Sequence, residues 1–286
     1  MCKNNKQIYD TNRNYIASGY RPLSSVLCPL SSDTGFTLIE LIMVMVLLAV
    51  LGTMGAGFIS KLFIGFNATE TRLEIYETGK LALTRMEREI RNSVPNTVYI
   101  ETVSQPNDRI TFGMLNGTAM KQNNCFGRYT EEQAEFPTAT LTDAAPGATP
   151  QAGWIISVYN RKWTDFNNGA RLYRVTSTTP PAMVLDSQVS KSSPAGRYYL
   201  VDKAVRYRWD DTRQTIYRSW DRVDENGPGD FSTAVEVPLA EEVTAAEFTY
   251  SPGALGRSGV VSLKFTVVKN REPVQFHREF HIRNAP

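Results

Sequence analysis

Twenty-five residues from Phe36 to Ser60 carry one charge, Glu40, and the next charge is Lys61. As a helix rising about 1.5 Å per residue the run reaches roughly 37 Å, enough to cross a bilayer with some tilt. Nothing later in the 286 residues is comparable. The remainder breaks into short strand-like pieces separated by polar turns. With 42% apolar and 21% charged residues, the chain is neither a disordered tail nor a multi-span membrane protein. A net charge of +2 gives no footprint of a nucleic-acid binder, and no nucleic-acid partner is expected.

Three readings of the run compete. A cleaved secretory signal needs a basic start, a short apolar core and a small-residue cut site. Gly55-Ala56-Gly57 supplies a cut site, and Lys3, Lys6, Arg13 and Arg21 supply charge. Arg21, however, lies 15 positions before Phe36, and Glu40 falls within the apolar core. A plain signal-anchor helix accounts for the hydrophobicity but not for Glu40. A carboxylate in hydrocarbon costs on the order of 2.5–3.5 kcal/mol on insertion scales, so it calls for a partner.

The third reading supplies one. Gly35-Phe36-Thr37-Leu38-Ile39-Glu40 resembles the cleavage and methylation motif of type IV prepilins. The resemblance implies that a prepilin peptidase cuts between Gly35 and Phe36 and methylates the new amine of Phe36. It also implies that Glu40 meets the corresponding amine of a neighbouring subunit during assembly. Pilins often carry a helix-breaking residue in this part of the span. Here Gly52, Gly55 and Gly57 would supply that flexibility, each costing about 1 kcal/mol relative to alanine. Close helix packing through small residues explains them equally well.

The implied layout is a cytoplasmic leader, residues 1–35, then a transmembrane half-helix, 36–60. An amphipathic half-helix, 61–93, and a periplasmic β-rich head, 94–286, would follow. Leu62, Phe66, Leu73, Tyr76, Leu83, Met86 and Ile90 form the expected apolar stripe. Arg85/Glu89 and Glu87/Arg91 are expected as i,i+4 pairs on the opposite face. Helical geometry is disfavoured before Pro95, so the helix should end near Ser93. Ten strands are expected: Thr97–Val103, Arg109–Leu115, Trp154–Tyr159, Arg171–Thr176, Arg197–Val201, Val205–Trp209, Thr215–Trp220, Ala245–Tyr250, Val260–Val268 and Val274–Ile282. Residues 134–151, rich in Ala, Thr and Pro, read as a surface loop. The fold class is therefore α+β and pilin-like, a long N-terminal helix packed on an antiparallel β-sheet head.

The stretches Lys80–Ile100, Phe248–Phe265 and His281–Pro286 are similar to MshO-type minor pilins of mannose-sensitive haemagglutinin (MSHA) pili. That likeness implies partners: the prepilin peptidase, other minor pilins and the major pilin, an inner-membrane assembly platform, and membrane lipid. It implies a single-pass inner-membrane protein that joins the pilus on the cell surface. A J-class minor pseudopilin of type II secretion, and a membrane-anchored β binding module, remain as alternatives.

No enzyme is expected, and no cofactor or metal. His277 and His281, the only histidines, alternate with apolar residues as in a strand, which places them roughly 13 Å apart at 3.3 Å per residue, too far for one ion. Asp224-Glu225-Asn226-Gly227 has a calcium-loop look, but Arg222 and Thr233 fall at ligand positions, so a tight turn is expected. Arg206, Arg208, Arg218 and Arg222 alternate with Tyr207, Trp209, Tyr217 and Trp220 across an expected hairpin, arginines outward and aromatics inward. The leader holds four basic and two acidic residues, so 31 and 29 become 27 of each sign after cleavage. Cys2 and Cys28 would leave with the leader, and Cys125 alone could close no internal disulfide.

Overall fold

A computed structural model describes residues 35–118, 126–131, 138–141, 150–179, 182–253 and 258–282. The leader before Gly35, Cys125, most of the expected loop at 134–151, and the last four residues lie outside them. Two compact units divide between Phe58 and Ile59.

Helix α1, Leu38–Arg91, is unbroken. Its last turn tightens, with the Asn92 and Ser93 amides donating to Glu89 and Ile90 at 3.2 and 3.0 Å. The Asn92 side chain also donates to the Arg88 carbonyl at 2.7 Å. The Val94 amide then turns to the Gly113 carbonyl, and the chain enters the sheet ahead of Pro95.

The face of α1 that packs on the sheet begins later than the stripe expected from the sequence. Leu62, Phe66, Leu73 and Tyr76 are exposed. Leu83, Met86 and Ile90 are buried as expected, joined by Thr71, Ile75, Gly79, Ala82 and Glu89. Small residues let the backbone approach the sheet at Gly79, where an added Cβ would overlap the Phe276 ring. Alanine there should gain about 1 kcal/mol of helix propensity and lose about 1–3 kcal/mol to overpacking. We expect Gly79→Ala to lower the unfolding temperature. Gly65→Ala, whose methyl meets open space, should not.

Against this face lies a three-stranded sheet, β12 (Val243–Ser251), β13 (Val260–Lys269) and β14 (Glu272–His281), antiparallel throughout. Phe265 and Phe276, paired across β13 and β14, stack with centroids 5.0 Å apart. Ion pairs edge the helix contact: Arg72–Glu272 at 2.7 Å, Glu74–Lys269 at 2.6 Å and Glu87–Arg278 at 2.9 Å.

The second sheet has eleven strands built around one of them, β8 (Arg197–Asp210). The sequence reads β8 as two strands, and the structure joins them. Its second half pairs with β2 (Arg109–Leu115) on one side and β9 (Thr215–Asp224) on the other. β1 (Tyr99–Glu101) extends the sheet beyond β2 and ends it there. β10 (Gly227–Pro228) and β11 (Val237–Ala240) pair with β9.

The first half of β8 belongs to a ring. It pairs with β3 (Phe126–Glu131), which leads through β4 (Thr138–Leu141), β7 (Ala182–Leu185), β6 (Leu172–Thr179) and β5 (Ile155–Ser157) back to β8. Closure removes the sheet edges a curled sheet would otherwise leave open. Ile156, Val158, Tyr173, Val175, Tyr198 and Leu200 fill its interior. The sequence reading missed β3, β4, β7, β10, β11 and the short helix α2, Trp163–Asn167. Asn168 caps the end of α2, and Gly169 follows at φ +68°.

Candidate functional site

Gly35, Phe36 and Thr37 precede α1 and lie outside helical geometry. Thr37 is the N-cap. Its hydroxyl accepts from the Glu40 amide at 3.3 Å, and its carbonyl accepts from the Leu41 amide at 3.2 Å. Thr-x-x-Glu is the sequence of a capping box, which places a carboxylate where the helix has unsatisfied amides and the positive end of its dipole. Thr37 is a role the sequence reading missed, although its spacing from Glu40 is legible there. Phe36 is 80% exposed.

From Leu38 onward the side chains of the apolar run are exposed all round, Leu38, Met45, Leu51 and Phe58 alike. A helix apolar all round matches a lipid environment. Among the described residues, α1 is the one helix long and apolar enough to cross a membrane. The helix passes through Gly52, Gly55 and Gly57 without interruption, with open space where each Cβ would stand.

At the other end of α1, Glu89 does not face solvent with Arg85 as expected. It is buried against the β8–β9 hairpin. The Tyr207 hydroxyl donates to Glu89 Oε2 at 2.6 Å and Arg218 Nε donates to the same oxygen at 2.9 Å. Arg85 reaches Glu89 Oε1 at 3.3 Å. Burial pushes the Glu89 carboxyl up, but the bonds from Arg218 and Tyr207 and the charges of Arg218 and Arg85 prevail and hold it below its ordinary 4.5. Burial, then the adjacent Glu89 charge, pushes the Tyr207 phenol well above its ordinary 10, so it acts as a neutral donor.

The hairpin otherwise divides by strand. In β8, Tyr207 and Trp209 are buried, with Arg206 and Arg208 at the half-exposed face. In β9 the order reverses, for Arg218 is buried and Trp220 is exposed. Arg208 is held by Glu236 at 2.7 Å and Asp210 at 3.1 Å. Arg208 and Arg218 are bound within the fold rather than arrayed for phosphates.

His277 lies on β14, bonded to Ser262 Oγ at 3.0 Å and facing Glu279 at 3.7 Å. Residues 224–227 form a tight turn between β9 and β10, with the Asn226 amide donating to Asp224 at 2.8 Å and Glu225 paired with Arg174. Among the described residues no cluster of three His, Cys, Asp or Glu is placed to hold a metal.

Residues 30–56 match the prokaryotic N-terminal methylation motif. No curated protein and no solved structure matches the chain. The match, the membrane-length helix and the curled antiparallel sheet define a pilin-like protein carrying a prepilin methylation motif. The motif implies processing by a prepilin peptidase and entry into a pilus-type assembly.

Proposed function

We propose that this chain is a minor pilin of an MSHA-type IV pilus, a structural subunit and a substrate of processing enzymes rather than an enzyme. In this reading prepilin peptidase cuts between Gly35 and Phe36, and residue 36 becomes the methylated terminus. The leader stays in the cytoplasm, α1 waits in the inner membrane, and the β head faces the periplasm. Other minor pilins, the major pilin and an assembly platform are the partners, with the subunit helping to initiate or cap the filament. Glu40 docks against a neighbour's terminal amine, and Gly52, Gly55 and Gly57 let the helix adjust as it packs.

The observation carrying the reading is the placement of the Gly35–Phe36 bond. It lies in non-helical backbone immediately ahead of a capped, membrane-length helix whose apolar stretch holds one carboxylate. The choice of the MSHA system rests on the resemblance of Lys80–Ile100, Phe248–Phe265 and His281–Pro286.

Mass analysis of the N-terminus, after expression beside an active prepilin peptidase, tests the processing. The expected product starts at N-methyl Phe36. A start near Phe58 would mark a secretory signal, and an intact leader an unprocessed anchor. Either would overturn the proposal. Co-purification with MSHA minor pilins rather than type II secretion pseudopilins tests the choice of system.

A further inference from the structure

The exposed apolar surface of α1 does not stop where the apolar run meets Lys61. Beyond it, Leu62, Phe63, Ile64 and Phe66 are each 57–67% exposed. Successive helix residues point about 100° apart, so Leu62, Phe63 and Ile64 face three different sides. From Thr71 the character changes, and Thr71, Ile75, Gly79 and Ala82 bury one face of the helix on the sheet. A protein surface covers a helix in that one-sided way. Acyl chains surround it, and this apolar segment continues the span below it.

Two placements of the bilayer compete. With hydrocarbon at Phe36–Ser60, the layer holds Glu40 and, after cleavage, borders the charged amine of Phe36. It also leaves Leu62, Phe63, Ile64 and Phe66 in water. With hydrocarbon at Leu41–Phe66, both charges move out to the cytoplasmic headgroups. The one charge then inside is Lys61, five residues from the upper end. Its long apolar stem stays in lipid while its ammonium reaches towards the outer headgroups. This placement gives up Phe36, Leu38 and Ile39, but only to the headgroup layer. As a helix its twenty-six residues extend roughly 38 Å, which fits a core of about 30 Å at a tilt within the usual range of roughly 0–40°.

We propose that bilayer acyl chains cover Leu41–Phe66 while the subunit waits in the membrane, with Phe36–Glu40 among the cytoplasmic headgroups. The proposal rests on the reading that α1 spans the membrane, and it moves the span about one and a half helical turns towards the head. The Gly35–Phe36 bond then stands outside the hydrocarbon, where water for its hydrolysis is at hand. At the other end, Thr71, the first buried residue of α1, follows Phe66 by about 8 Å of helix. The turn joining β13 to β14 is tied to this part of the helix by Arg72–Glu272 and Glu74–Lys269. It is therefore held close to the outer headgroups.

The test uses the full chain in vesicles of phosphatidylcholine and phosphatidylglycerol, with Cys2, Cys28 and Cys125 changed to serine. Ile39→Cys, Leu51→Cys, Ile64→Cys and Glu70→Cys, one at a time, carry a nitroxide whose collisions with oxygen and with a water-soluble nickel chelate read depth. Labels at Leu51 and Ile64 should meet oxygen and not nickel, and labels at Ile39 and Glu70 should meet nickel. Changing Leu62, Phe63, Ile64 and Phe66 together to serine should draw the helix back and shift the Ile39 label into the oxygen-rich layer. Nickel contact at Ile64, shielding of that label from both reagents as by a protein partner, or an Ile39 label already in the oxygen-rich layer or unmoved by the serine variant would each overturn the proposal. Nickel contact at Leu51 would overturn the spanning reading itself, and the proposal with it.

Discussion

Glu89→Ala should destabilise the protein by about 3–5 kcal/mol, the usual cost of removing one partner of a buried ion pair. The change strands Arg218, whose side chain is only 11% exposed, without its carboxylate. It also leaves the buried Tyr207 hydroxyl without its acceptor. At roughly 2–4 °C per kcal/mol for a domain of this size, the unfolding temperature should fall by about 10 °C. Tyr207→Phe, which removes a single bond to the carboxylate, should cost less, about 1.5–3 kcal/mol. Replacing Glu89, Arg218 and Tyr207 together by leucine, methionine and phenylalanine should recover most of the loss, because apolar packing can substitute for a buried polar cluster. Denaturant unfolding of the full chain in micelles reads all three. A Glu89→Ala protein as stable as the parent would show that the triad contributes nothing. The pH dependence has a definite sign. The folded carboxyl sits below its ordinary 4.5, so its contribution is complete above that pH and fades as pH falls through the lower folded value. Glu89→Gln should flatten that acid limb.

The second large effect is on processing, and it rests on the proposed function. Gly35→Val should leave the chain with its 35-residue leader, because a β-branched side chain obstructs close approach of the peptidase to the backbone. Glu40→Gln should separate two roles that the motif combines. Loss of a carboxylate costing roughly 2.5–3.5 kcal/mol in lipid should make membrane insertion no harder. Cleavage should proceed, yet the subunit should fail to join filaments, since the neighbour's amine loses its counter-charge. Fractionation shows insertion, mass analysis shows cleavage, and sheared-filament blots show incorporation. Normal incorporation of Glu40→Gln would discard the charge-pair role.

Much of the fold is legible in the residues themselves. Arg109–Leu115 is a strand from end to end, and Val260–Lys269 differs from its expected bounds by one residue. Val260–Lys269 shows the alternation that burial on one face enforces, whereas Arg109–Leu115 is buried on both faces. What escapes reading depends on distant chain. Leu73 and Tyr76 have the right chemistry for a buried stripe. The face is set instead by where β14 lies, and Phe276 calls for a glycine at 79. Glu89 looks like half of an exposed i,i+4 pair until Arg218, 129 positions away, reaches it. Thr138–Leu141 carries little strand signal, and ring closure holds it between β3 and β7. At the N-terminus the motif was fully legible because its information is contiguous. The cluster of Glu89, Tyr207 and Arg218 was not, for its members come from three separate elements.

The position of β8 in the chain sets a constraint on the order in which this molecule can be completed. Synthesis delivers the helix and β2 first, yet β2 pairs with residues 201–208, and the helix face packs on strands made from residue 243 onward. The helix face cannot therefore be fully covered until β14 has emerged. Long-range pairing of this kind is slow and leaves intermediates prone to stick to one another. A newly made chain is consequently most vulnerable before β14 has emerged, and truncations that remove β14 should be poorly tolerated.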